Sequence, residues 1–107
     1  MNMPLRKVAL LSQLPAESVR EVVVGETVIA LCRCEGELAA LDGICPHHGG
    51  PLGQGNLEGG HVICPWHMWE FDCRTGAFDR NPDVKVAVYP VVVEGDDILV
   101  DLPEPHA

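Results

Sequence analysis

The sequence predicts an all-β fold, and three features carry that reading. Short valine-rich runs such as VREVVV recur along the chain. Nine prolines and eleven glycines are spread among them, and no stretch keeps a helical period long enough to form an amphipathic helix. At 107 residues the chain is a single domain spanning 1–107, and its 47% hydrophobic content is enough for a packed interior.

Residues 5–10 (LRKVAL) form an edge strand, and the loop LSQLPAES leads on from it. The runs VREVVVG and ETVIALCRC follow as a strand pair turning at Gly25. In the second run Val28, Ala30, Cys32 and Cys34 share one face, because side chains alternate along a strand. EGE is the next turn, LAALDG the next strand, and a glycine-rich loop comes after it. GHVIC then enters a second loop and WEFD leaves it; RTG and RNPD read as turns. The chain closes with a hairpin of VKVAVYPVVVEG and DILVDL, turning at EGDD, and the tail PEPHA is expected to fray.

Charge narrows the partner classes. Sixteen Asp and Glu face seven Lys and Arg, a formal net charge of −9. Nucleic acid and anionic membrane surfaces carry the same sign and are excluded as partners; a basic protein surface fits. RKVALL followed by LPA is a faint echo of a secretory leader, but its apolar part is too short and it reads as the first strand. Five cysteines cannot all pair, and nothing suggests secretion, so the setting is read as reducing and cytoplasmic.

Between Arg33 and Arg74 there is no Lys or Arg, and from residue 43 to 69 the only formally charged side chain is Glu58. Within that uncharged region stand two Cys/His pairs, CPHHGGPLGQG and CPWHMWEFD. The order is Cys45-x-His47, sixteen intervening residues, then Cys64-x-x-His67. Thiolates and imidazoles are the ligands of zinc, iron–sulfur and copper sites. Zinc sites built from two cysteines and two histidines usually draw like residues from one knuckle, whereas each loop here offers one of each kind. A cluster of two irons can place both cysteines on one iron and both histidines on the other. Spacing leaves His48 open as a ligand, because Cys45-Pro-His-His48 mimics the second loop's Cys-x-x-His.

This pattern resembles the Rieske family along the whole chain, and the phrases CPHHGGPL, CPWH, WEFD and RTG resemble the small Rieske-type ferredoxins of bacterial aromatic-ring dioxygenase systems. The resemblance implies an antiparallel β-sandwich with two cluster-binding loops, at 43–56 and 63–70, on one tip. It implies one [2Fe–2S] cluster per chain held by Cys45, His47, Cys64 and His67, with His48 as a neighbour. In such a site two ferric irons, two sulfides, two thiolates and two neutral imidazoles sum to zero charge. Four thiolates would give −2, so histidine ligation raises the potential. Gly50 and Trp66 stand where respiratory Rieske proteins carry a loop-linking disulfide, and Trp69 and Phe71 where they carry Ser and Tyr hydroxyls. A potential near the bottom of the Rieske range follows. Pro82 resembles the family's proline loop over the cluster, or is an ordinary turn proline. Met68 departs from the glycine or serine often found after the second histidine. Cys32, Cys34 and Cys73 have no motif role and read as small buried side chains.

The function implied is one-electron transfer, without catalysis, from a flavin-dependent ferredoxin reductase to a terminal Rieske oxygenase, by a monomer. Three alternatives stay open at this point. The small subunit of an assimilatory nitrite reductase has a similar fold, and a zinc-binding structural module would use the same donors. An oxygenase would need a separate mononuclear iron, for which only His48, His61 and His106 remain and no second domain exists to arrange them.

Overall fold

The computed structural model describes residues 5–46, 49–66 and 68–102. His47, His48, His67 and the tail 103–107, with His106, lie outside the described residues. Among the described residues twelve strands build three antiparallel sheets. The first is three-stranded, ordered β1 (Leu5–Leu10), β12 (Asp97–Asp101), β11 (Val91–Glu94). The second is four-stranded, ordered β10 (Val88–Tyr89), β4 (Glu37–Asp42), β3 (Thr27–Cys34), β2 (Ser18–Val24). The third is five-stranded and runs in chain order through β5 (Asn56–Glu58), β6 (His61–Ile63), β7 (Glu70–Asp72), β8 (Ala77–Phe78) and β9 (Asn81–Lys85).

Tight turns set the register. Glu35-Gly36 joins β3 to β4 and Gly59-Gly60 joins β5 to β6, and all four residues have positive φ, as a type I′ hairpin turn requires. The four-stranded sheet is packed on both faces, and alternation along β3 shows how. Ala30, Cys32 and Cys34 enter one core with Leu41, Val62, Phe71 and Phe78; Ile29 and Leu31 enter another with Leu14, Ile98 and Val100. The expected common face of Ala30, Cys32 and Cys34 is present, and the run is apolar throughout because its other face is covered too.

Two expectations are corrected. RNPD is a turn only at its start: the turn is Asp79-Arg80, and Asn81 and Pro82 begin β9, which sits at a sheet edge where a missing N–H costs no ladder bond. VKVAVYPVVVEG is not one arm of a hairpin. It breaks at Val86-Ala87 and again at Pro90, and its pieces β9, β10 and β11 join three different sheets. Proline cannot donate to a continuous ladder, and the break re-aims the chain from one sheet to the next. Only the last piece pairs with β12 as expected, Val91 opposite Val100 and Glu94 opposite Asp97.

The loop after β4 is fastened at several points. Gly43 N–H donates to Val28 O at 2.8 Å, Leu52 N–H to Gly43 O at 2.9 Å, and Ile44 bridges Pro51. Its 3-10 turn, Leu52–Gln54, lies against β2 so closely that a Cβ on Gly53 would sit 2.6 Å from the Glu21 Cα. At Gly55 a Cβ would overlap the Ile63 carbonyl oxygen, which joins the first loop to the strand leading into the second. Gly55→Ala should therefore cost about 1–3 kcal/mol, as overpacking does elsewhere. A urea midpoint equal to that of the unmodified protein would contradict this packing.

Candidate metal centre

Two loops bring Cys45 and Cys64 together. The first leaves β4 and is closed at its tip by Cys45 N–H donating to Gly50 O at 2.9 Å and Gly49 N–H donating to Cys45 O at 2.8 Å. The second leaves β6 and returns as β7, closed by Cys64 N–H donating to Trp69 O at 2.8 Å. Both cysteines are buried, both are free thiols, and their side chains share a hydrogen bond. Burial pushes the Cys64 thiol above its ordinary value. The Trp66 N–H, which donates to the sulfur, pulls it back, and Cys45 pushes it further up. A cationic metal at this point would supply the charge that lets both thiols ionise side by side.

The second loop is braced from below by an aromatic group. Trp69 stacks on Phe78 with ring centroids 4.0 Å apart and planes at 6°, while Phe71 lies 5.6 Å from Phe78. Phe71 is fully buried, and neither it nor Phe78 offers a hydroxyl. The first loop meets the second at Gly50, where a Cβ would sit 2.8 Å from the Cys64 Sγ.

The outer surface of the loops is apolar. Ile44, Trp66 and Met68 are 44%, 48% and 65% exposed, and Pro46 and Pro65 are exposed beside them. Met68 also holds a left-handed backbone, φ +61, that glycine would adopt without strain. Pro82 is exposed on β9.

The fit to a Rieske cluster is good at its thiolate half. Two adjacent thiols, one from each loop, are the donor pair that one iron needs, and a backbone N–H already points at one sulfur. His47 and His67, expected on the other iron, and His48, expected beside it, lie outside the described residues. His61 is engaged elsewhere: its Nδ1 lies 3.3 Å from Glu70 Oε1 across the β6–β7 pair.

Sequence reasoning missed how the remaining cysteines gather. Cys32 and Cys34 on β3 and Cys73 beyond β7 are all buried in the core that holds Cys45 and Cys64, and the Cys34 and Cys73 side chains are hydrogen-bonded. Alternation along β3 placed the first two on one face; nothing in the spacing pointed to Cys73. Beside them Arg74 pairs with Glu35 at 2.9 Å and Glu37 at 3.4 Å, tying the turn after β7 to the β3–β4 hairpin.

Comparison with known proteins agrees with this geometry. The Rieske [2Fe–2S] domain family matches residues 5–90. The ferredoxin component of the naphthalene 1,2-dioxygenase system of Pseudomonas aeruginosa is 36% identical over 93 residues, covering 86% of this chain and 89% of the relative. The ferredoxin of carbazole 1,9a-dioxygenase from Nocardioides aromaticivorans IC177 superposes with a TM-score of 0.82 at 32% identity, covering 90% of this chain and 95% of the other. A chain from the complex of reduced oxygenase and oxidised ferredoxin in carbazole 1,9a-dioxygenase superposes with a TM-score of 0.83 at 28% identity, covering 94% of each.

The buried thiols carry a pH signature. Cys32 is pushed up to about 12 by burial first and then by Cys73 and Cys34. Cys73 is pushed up to about 12 by burial first and then by its hydrogen bond to Cys34. An unfolded chain releases these protons near the ordinary value of 9.0, so above it the folded state holds more protons than the unfolded one. Stability is then complete below 9.0 and falls as pH rises from there toward about 12. The urea midpoint should drop between about pH 8 and about pH 10.5, with a shallower drop in the Cys32→Ala/Cys73→Ala double variant. Equal slopes in the two proteins would refute the assignment.

Proposed function

The chain belongs to the Rieske [2Fe–2S] family, and from that premise we propose that it carries single electrons to the terminal oxygenase of a multicomponent oxygenase system. The observation that carries the proposal is the meeting of Cys45 and Cys64 from two separate loops at an apolar tip. The cofactor is one [2Fe–2S] cluster, which when bound accepts and returns one electron. Cys45 and Cys64 hold one iron, and His47 and His67 hold the other with an imidazole from each loop. His48 is left outside the ligand set.

The surroundings favour a low potential. Burial disfavours the added negative charge of the reduced state. Trp66 supplies a backbone N–H to the Cys64 sulfur, but Trp69 and Phe71 bring rings where hydroxyls would stabilise that state further. A value near the low end of the Rieske range, roughly −150 mV, follows.

Docking uses the same tip. Ile44, Trp66 and Met68 offer an uncharged surface on a chain of net charge −9. A partner with an apolar centre and a basic rim fits both properties. The ferredoxin–oxygenase complex among the similar structures supports an oxygenase as acceptor. A flavin-dependent reductase is the proposed donor, and small transient interfaces of this kind suit a monomer. No helix among the described residues is long and apolar enough to cross a membrane. The reduced cysteines suit a cytoplasmic location.

The purified protein should show the visible and electron-paramagnetic spectra of a Rieske centre. A colourless protein containing zinc without acid-labile sulfide would end the proposal. Cys45→Ser and His47→Ala should lose the cluster while His48→Ala keeps it; a normal spectrum from His47→Ala would reverse the choice of histidine. Met68→Gly should stabilise the fold by about 1 kcal/mol, by relieving a left-handed backbone. It should also slow single-turnover electron transfer to the partner oxygenase several-fold. Unaltered transfer would remove Met68 from the docking surface.

A further inference from the structure

One of the places where the two metal loops meet is a glycine, and the base of a tryptophan side chain lies against it. Gly50 is buried on the first loop. A Cβ placed on it would stand 2.8 Å from the Cys64 Sγ, 3.0 Å from the Trp66 Cγ and 3.1 Å from the Trp66 Cβ, all on the second loop. The first distance is shorter than atoms tolerate and the other two are tight contacts, so the Gly50 backbone packs directly against the Trp66 side chain, with the Cys64 sulfur beside them. Each residue is also bonded to a ligand cysteine. Gly50 O accepts from Cys45 N–H at 2.9 Å, and Trp66 N–H donates to the Cys64 sulfur.

We propose that the Trp66 ring, seated on Gly50, is a non-covalent clasp that holds the two cluster loops shut and keeps water from the Cys64 sulfur. The proposal rests on the Rieske reading and extends it to the residues that retain the cluster. Half of Trp66 is exposed, so its outer face forms part of the docking surface while its inner face covers the glycine. Glycine is needed there because any side chain would displace either the ring or the sulfur. Trp66 is thus a positioning residue: it acts on the cluster through the Cys64 sulfur and the closure of the loops.

Two consequences distinguish a clasp from general packing. Opening it gives water and a chelator access to the Cys64 sulfur, so the cluster is lost more readily. Water at the sulfur also stabilises the more negative, reduced cluster, so the potential rises. The holoproteins of Trp66→Ala, Trp66→Phe and the Gly50→Cys/Trp66→Cys double variant provide the test. Cluster loss to a ferrous-iron chelator is followed by visible absorbance, and the midpoint potential by redox titration.

Trp66→Ala should lose its cluster at least about tenfold faster, the scale seen when groups supporting a metal ligand are removed, with a raised midpoint. Trp66→Phe should stay near the unmodified protein in both. The double variant should form a disulfide, since a Cβ at Gly50 lies 3.1 Å from the Trp66 Cβ, a few tenths of an ångström inside the usual range of about 3.5–4.5 Å. Oxidised, it should hold the cluster like the unmodified protein; with that disulfide reduced, it should leak like Trp66→Ala. A Trp66→Ala protein too leaky to isolate loaded, beside a loaded Trp66→Phe, has the same meaning. Unchanged loss rate and potential in Trp66→Ala, or equal damage in Trp66→Phe, would overturn the clasp. Absence of a Rieske spectrum from the unmodified protein would instead fail the parent reading.

Discussion

Two buried thiols are held side by side, and much of the molecule is arranged around that contact. Cys45 and Cys64 are each fully buried, and their side chains touch. Like charges at such separation are intolerable away from water without a cation between them. The fold brings the thiols together only because each sits in a loop closed by its own backbone bonds, Cys45 to Gly50 and Cys64 to Trp69. Bare proximity would not suffice, since uncharged loops without such closure would collapse on one another in many ways. Glycine at 50, 53 and 55 lets backbones approach to distances that any side chain would forbid.

Support for those loops comes from the sheets rather than from the loops alone. The first loop is laid on β2 through Gly53 and Gln54, whose amide donates to the Glu21 carboxylate at 2.9 Å. The second stands on the stack of Trp69 over Phe78. Both meet the buried face of β3, so the same core that stabilises the domain also fixes the donor positions. An apolar setting built for packing is also one that disfavours added charge, which links the potential of an electron carrier to its stability.

Much of this was legible in the residues. The all-β class followed from the valine runs and turn residues, and the strands at 5–10, 18–24, 27–34 and 37–42 fall where alternation and glycine placed them. That Cys45 and Cys64 come together was legible because two loops each pairing a cysteine with a histidine are a spacing that packing alone rarely produces. Less local features were not. Pro82 is not the turn proline it could have been, because a proline is tolerated in a strand only at an edge, and edges are decided by tertiary arrangement. The gathering of Cys32, Cys34 and Cys73 joins residues about forty positions apart through no pattern in the chain. Gly50 was marked as lacking a cysteine, but its contact with Trp66 exists only once the two loops are folded together.

The broken segment from Asn81 to Glu94 has a consequence beyond topology. Within a few residues it threads through every sheet: β9 closes the five-stranded one, β10 edges the four-stranded one, and β11 edges the three-stranded one. No layer can peel away while this strap stays in place, because each is stitched to the next by the same short piece of backbone. The three sheets are therefore coupled through one short piece of backbone, which favours melting of the body as a unit. For a carrier that meets partner after partner, the sheets beneath the iron-holding end then keep one shape through every encounter.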